Sequence, residues 1–164
     1  MLEIRLMEPG DWRGIWQVIQ PVFRKGETYP EPTTISEPEA RSAWVDAPAA
    51  TFVAAGEEGR ILGTYYLKAN KPGQGSHVCN CGYMVAEDAW GRGVGSAMCV
   101  HSQREALLRG FRAMQFNLVV STNKAAIHVY RKNGFQIVGT LPGAFRHPTL
   151  GCVDALVMYK QLSE

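Results

Sequence analysis

The sequence predicts an α/β (α+β) fold: a mixed, mostly antiparallel sheet with a central parallel βαβ crossover and helices on both faces. Three observations carry this reading. The element order along the chain is β-α-α-β-β-β-α-β-α-β-β. Residues 77–121 read as strand–helix–strand, and a crossover of that kind joins parallel neighbours. Hairpins elsewhere imply antiparallel pairs, and a mixed sheet with helices on both faces follows. At 164 residues, 46% apolar and 20% charged, the chain is long enough for one sizeable core, and 1–164 is read as a single domain.

The elements follow in order. Leu2–Met7 opens the chain, with charged and apolar side chains alternating over Glu3–Met7 as in a half-buried strand. Pro9-Gly10-Asp11 starts a helix with Asp11 as N-cap. Trp12, Ile15, Trp16 and Ile19 give it one apolar face, and Pro21 is expected to bend or end it. Lys25–Pro32 is a loop with Gly26, Pro30 and Pro32. Ser36 and Glu39 form a capping box for a second helix running to about Asp46. Thr51–Ala55 and Ile61–Lys68 flank the hairpin turn Gly56–Gly59. Asn70–Ser76 is a loop, His77–Ala86 a strand, Glu87–Gly93 a short loop, and Val94–Arg109 a helix stopped at Gly110. Gln115–Ser121 is a strand and Asn123–Asn133 a helix stopped at Gly134. Phe135–Thr140 and Val153–Lys160 are the last strands, separated by Leu141–Gly151, a loop with two prolines.

Several function classes fall away. Seventeen Lys+Arg against fifteen Asp+Glu leave a net charge of +2, too weak a bias for a nucleic-acid or anionic-membrane partner. No run of 18 apolar residues is present, so no spanning helix is expected, and the first residues read as a strand rather than a signal peptide. Cys79, Cys81, Cys99 and Cys152 show neither CxxC nor Cys/His zinc spacing. Reduced thiols, no metal and a cytoplasmic location are expected.

The most informative stretch is Tyr83–Ala97, a strand running through a glycine loop into a helix. Glycines let backbone fold round an anion, and a helix N-terminus offers unsatisfied N–H groups with a partial positive charge of about +0.5. Arg92 adds a full charge. Gly91, Gly93 and Gly95 follow GxGxG with Ser96 next, so the dinucleotide fingerprint GxGxxG fails. No Lys follows these glycines, so the P-loop fails too. A bare βα turn is the plain alternative. One strand further on lies Asn123–Phe135, an Asn opening a helix that bears Tyr130 and ends in Gly134-Phe135.

Together the two segments resemble the GNAT superfamily of acetyl-CoA-dependent N-acetyltransferases, over about Phe52 to Lys160 in element order. The loop looks like its pyrophosphate loop, and Asn123–Phe135 like its second signature. The resemblance implies that Met84, Val85 and Ala86 pair their backbone with the pantetheine arm of acetyl-CoA. A backbone N–H of Met84 or Val85 would then face the thioester oxygen. It implies that Trp90, Gly91, Arg92, Gly93, Val94, Gly95 and Ser96 surround the diphosphate. Trp90 departs from the Gln or Arg usual at its position, leaving Arg92 and backbone N–H groups to compensate. Asn123 caps its helix and can reach the cofactor arm, and Ala126 leaves room beside it.

Tyr130 is the expected general acid, because a phenol near pKa 10 is protonated at neutral pH and can donate to a departing thiolate near 8.5. A core aromatic on an amphipathic helix is its alternative. Relatives often carry a Glu on the strand before the glycine loop, and here that position reads Asn80. An amide is no base, so Asn80 is expected to orient the amine or a water. His77, Glu27 and Asp154 remain as candidate bases. Phe23–Pro32 and Leu141–Pro148 are the expected acceptor-side walls. The reading is an N-acetyltransferase moving acetyl from acetyl-CoA directly to the primary or secondary amine of a small molecule, an amino acid or analogue. The competing readings are a non-catalytic acyl-CoA-binding regulatory module and a peptide or protein N-acetyltransferase. A homodimer is left open.

Overall fold

In the computed structural model, which describes residues 1–162, seven strands form one sheet in the order β1-β2-β3-β4-β5-β7-β6. They are β1 (Glu3–Leu6), β2 (Ala50–Ala55), β3 (Ile61–Ala69), β4 (Val78–Val85), β5 (Ala113–Val120), β6 (Gln136–His147) and β7 (Gly151–Gln161). The β4–β5 pair is parallel and the other five are antiparallel. Helices α1 (Trp12–Lys25) and α2 (Glu37–Arg41) cover one face, and α3 (Val94–Leu108) and α4 (Lys124–Lys132) the other. None of these helices is long and apolar enough to cross a membrane.

Two core layers result. Ile15, Ile19 and Phe23 of α1, with Ala40 and Trp44, pack on Val53, Ala55 and Met84. Met98, Cys99 and Ala106 of α3 pack on Phe52, Tyr65, Leu67, Cys79 and Cys81. Because both faces are covered, β2 is buried at every position and shows no polar alternation.

Four local expectations change. The first helix runs through Pro21 to Lys25, ending where Gly26 N–H bonds Phe23 O at 3.1 Å. Burial of Val18, Ile19 and Phe23 around Pro21 outweighs the one missing N–H. Asp11 does not cap that helix with its side chain. Its carboxylate instead accepts the Glu8 N–H (2.7 Å) and a bidentate pair from Arg5 (2.7 and 3.0 Å), tying β1 to the helix start.

The second helix carries its capping box, with Ser36 Oγ accepting from Glu39 N–H at 3.3 Å. It stops at Arg41, however, and passes into a wider π-type turn, Ser42–Asp46, closed by Ala47 N–H on Ser42 O (2.9 Å). That turn swings Trp44 into the core, where its Nε1 donates to Thr64 Oγ1 at 3.1 Å. Finally, most of the expected loop Leu141–Gly151 is strand. β6 reaches His147 and β7 begins at Gly151, with a register shift between Leu141 and Phe145 that absorbs Pro142. β6 is an edge strand, where a residue without an N–H costs no ladder bond on the open side.

The feature that positions the site is the brevity of the parallel ladder. It holds only Val78↔Ala113 and Cys79↔Met114. At the next residue Asn80 Nδ2 donates to Gln115 O (2.9 Å), so a side chain bridges the strands where backbone pairing stops. Beyond it β4 and β5 part.

The Arg5–Asp11 link makes a testable claim. The Arg5 hydrogen bond is the main cause that holds the Asp11 carboxyl below its ordinary range, so its stabilisation exists above that range and is lost as pH falls through the lowered value. Asp11→Asn is expected to cost about 1–2 kcal/mol in urea unfolding at pH 7. The difference from wild type should shrink below about pH 4.

Candidate active site

The opening between β4 and β5 is bordered by backbone groups of alternate residues on β4. Ala86 N–H bonds Leu62 O on β3 at 2.8 Å, and Met84 lies in register with Thr64 of β3. Even-numbered residues therefore spend their backbone groups on β3, and Tyr83 and Val85 face the opening. The Tyr83 carbonyl accepts the Tyr29 hydroxyl (2.9 Å), and the Val85 carbonyl accepts Trp90 Nε1 (3.1 Å). Of the two N–H groups that the sequence left open, that of Val85 faces the opening and that of Met84 faces β3. Met84 contributes a buried side chain to the α1 layer.

Past Val85 the chain turns through 3₁₀ geometry at Glu87–Ala89 and enters the glycine loop. Gly91 and Gly93 take left-handed backbone, φ +72° and +80°, and a Cβ at either would meet only open space. Conformation rather than crowding selects glycine there. The first helical bond of α3 is Ala97 N–H to Gly93 O (3.0 Å), and the amides of residues 91–96 make no hydrogen bond of ordinary geometry among the described residues. Six consecutive donors at a helix N-terminus form a site for a multiply charged anion. Arg92 is exposed beside them. Trp90, 56% exposed, lies under Lys25 Nζ (5.0 Å from the ring centre) and faces a groove of about 490 Å³ lined also by Pro21, Val22, Glu27 and Val85.

On the α3–α4 side of the opening, Tyr130 packs against Phe116 (ring centres 4.3 Å), Tyr83 (6.0 Å) and Phe135 (6.1 Å). Its hydroxyl makes no hydrogen bond among the described residues, whereas Tyr83 is tied to Ser102 Oγ at 2.6 Å. Burial pushes the Tyr130 phenol above its usual range, with Tyr66 on the other face adding to the effect. Asn123 Oδ1 accepts from Ala126 N–H (3.3 Å), which is the N-cap of α4, and Ala126 is half-buried beside it.

On the α1–α2 side, Asn80 is 7% exposed and already engaged twice. Its Oδ1 accepts the Tyr66 hydroxyl (3.1 Å) while its Nδ2 holds Gln115 O. The Tyr66 ring lies flat on β4 at Gly82, where a Cβ would come within 2.6 Å of it. Trp44 meets Tyr66 edge-on at 4.9 Å and Tyr29 at 5.8 Å. The candidate bases named from the sequence do not join this group. His77 and Glu27 are exposed, and Asp154 Oδ1 accepts the Gly143 N–H (2.9 Å) at the β6 irregularity.

Glu31, which the sequence reading passed over, does join it. It lies between Pro30 and Pro32 in the expected acceptor-side loop, and its Oε2 is buried without a hydrogen-bond partner. Burial raises its carboxyl above the ordinary range, opposed by its own backbone N–H and then by Lys68. The Pro-Glu-Pro context was the only sequence signal available.

A family model described as acetyltransferase (GNAT) family matches residues 12–135. A GCN5-related N-acetyltransferase from Kribbella flavida superposes with a TM-score of 0.93 at 40% identity, covering 98% of this chain and 97% of that one. A phosphinothricin acetyltransferase from Sinorhizobium meliloti in complex with acetyl-CoA shares the fold, with a TM-score of 0.88 at 22% identity over 99% of this chain and 89% of its own. N-acetyltransferase aca1 of Schizosaccharomyces pombe is 34% identical over 100 residues, which are 59% of this chain and 47% of that protein. The chain thus spans about half the length of that curated relative.

A carboxylate with one oxygen buried and without a partner costs stability at neutral pH. Because the folded state favours its protonated form, that form's advantage is present at low pH and lost as pH rises through the raised value. Glu31→Gln is therefore expected to raise the melting temperature at pH 7 by about 2–4 °C, with the gain vanishing near pH 4. An unchanged or lowered melting temperature at pH 7 would show that the carboxylate is satisfied in solution.

Proposed function

Because the chain belongs to the acetyltransferase (GNAT) family, we propose that it moves an acetyl group from acetyl-CoA directly to the primary or secondary amine of a small molecule, an amino acid or analogue. The observation that carries this reading is the run of six amides at 91–96 that make no hydrogen bond of ordinary geometry among the described residues, together with a buried Tyr130 hydroxyl that makes none among them either. The proposal takes 1–164 as one catalytic domain. With all four cysteines free, it takes a reducing compartment such as the cytoplasm as the setting.

Acetyl-CoA supplies an activated acyl group whose thioester carbon is open to attack by an amine. The amides of Gly91 through Ser96, with the Arg92 guanidinium, hold its diphosphate, and Trp90 walls the groove beside them. Val85 directs its N–H to the acyl oxygen, where charge develops. Along Met84–Ala86 the strand end guides the pantetheine arm through the opening, since a carbonyl already holding one donor has a second lone pair. Asn123 and Ala126 fix the start of α4 beside that arm. Tyr130 gives its proton to the departing sulfur. Burial keeps it protonated at pH 7 and makes its phenolate quick to recover a proton. Asn80 has one N–H left to position the acceptor.

Calorimetry and turnover test this. Acetyl-CoA is expected to bind, and Gly93→Val, which forces a side chain into left-handed backbone, to weaken that binding at least tenfold. Tyr130→Phe should cut kcat about tenfold or more while leaving acetyl-CoA affinity in place. No heat with acetyl-CoA, or full turnover in Tyr130→Phe, would overturn the proposal.

A further inference from the structure

One cation beside the glycine loop comes from outside the strand and helix that frame it. Arg60 closes the turn between β2 and β3, where Gly56 N–H bonds Arg60 O (2.8 Å) and Arg60 N–H bonds Glu57 O (3.1 Å). Its guanidinium donates to Asp88, in the short 3₁₀ turn that leads into the loop. Both side chains are well exposed, and an ion pair in water contributes little. The contact therefore places Arg60 without committing its charge. The Arg60 hydrogen bond is the main cause that holds the Asp88 carboxyl below its ordinary range, and Arg92 adds to it. One carboxylate thus lies within the field of two guanidiniums.

Arg60 and Arg92 also line one cavity, of about 390 Å³. Its wall includes Val94, the first residue of α3, so it adjoins the amides at 91–96. Leu2, Leu62 and Val94 give it an apolar side, and Glu57 stands on its lining at the turn. Its volume is that of a small-molecule site. The cavity borders β3 and the β2–β3 turn, whereas the opening that receives the thioester lies on the other edge of β4. The acetyl-transfer chemistry leaves this space unused.

Resting on the acetyl-transfer reading above, we propose that this cavity takes the adenosine end of CoA and that Arg60, together with Arg92, binds the ribose 3′-phosphate. A single ribose carries both the diphosphate and the 3′-phosphate of CoA. With the diphosphate on the loop, the 3′-phosphate must therefore fall within one sugar of it, and Arg60 and Arg92 flank such a place. A phosphate monoester carries about −1.5 to −2 charge at pH 7 and three acceptor oxygens. It outcompetes the single charge of Asp88 for a guanidinium fork. Arg60 turns from Asp88 to the phosphate, while Arg92, with five donors, serves both anions. The apolar side of the cavity covers the ribose and purine. Arg60 thus brings to the loop a charge that Trp90 does not, and makes the chain select CoA over the same molecule without its 3′-phosphate.

Calorimetry with CoA and with dephospho-CoA, which lacks only that phosphate, tests this on wild type, Arg60→Met and Asp88→Asn. Wild type is expected to bind CoA at least tenfold more tightly than dephospho-CoA, the worth of one or two charge-assisted contacts. Added salt should narrow that preference. Arg60→Met should lose most of it by weakening CoA alone, with dephospho-CoA affinity held within about twofold as the sign of an intact fold. Asp88→Asn separates binding from scaffolding. If Arg60 serves only to hold Asp88, both variants weaken CoA alike. If Arg60 binds the phosphate, removing its competitor leaves CoA affinity at or above the wild-type value. Equal affinity of wild type for the two ligands, an unchanged preference in Arg60→Met, or a matching loss in Asp88→Asn overturns this inference and leaves acetyl transfer standing. A wild-type protein that binds neither ligand overturns the parent reading and this one together.

Discussion

The site depends on a parallel ladder that stops after two residue pairs. Had β4 and β5 continued side by side, the N–H and C=O groups of Tyr83 and Val85 would be spent on β5, and α4 would pack on closed sheet. Because they separate, one strand offers free backbone to a ligand while its other edge stays locked to β3. Asn80 makes the separation stable. Its amide substitutes for the missing backbone partner of Gln115 O and in the same stroke fixes the Tyr66 hydroxyl. A buried amide does this at low cost because it brings both a donor and an acceptor.

Around the opening the chemistry is divided by face. Donors for an anion gather at the start of α3, where peptide dipoles and glycine backbone supply them without charge-dense side chains. Phenols collect on both sides of the strands, and burial keeps Tyr29, Tyr66, Tyr83 and Tyr130 protonated. Their hydroxyls act as fixed dipoles in a recess where reorganising water would be slow to respond.

How much of this the sequence made legible follows from the range of the forces involved. The glycine loop is written locally: residues 91–96 need unusual backbone wherever they are, and GxGxG announces it. Tyr130 stood out by its place after the Asn and before Gly-Phe, and its ring packs on Tyr83 and Phe116. The mixed sheet and its covered faces followed from element order, which the seven strands reproduce. What failed was non-local. Pro142 reads as a loop residue unless its strand is known to lie at an edge, and Pro21 as a helix breaker unless its neighbours are known to be buried. Glu31 was passed over because nothing in its Pro-Glu-Pro context signals that its Oε2 is buried. Asp11 was read as a cap when the stronger partner, Arg5, lay six residues back.

The bare position at Gly82 has a consequence for variation in this chain. Nothing there touches a reactant, yet even a methyl group would lift the Tyr66 ring, and with it the hydroxyl that steadies Asn80. A surveyor of tolerated substitutions would therefore find an empty spot behaving like a catalytic one. The floor beneath Tyr66 has no slack to give.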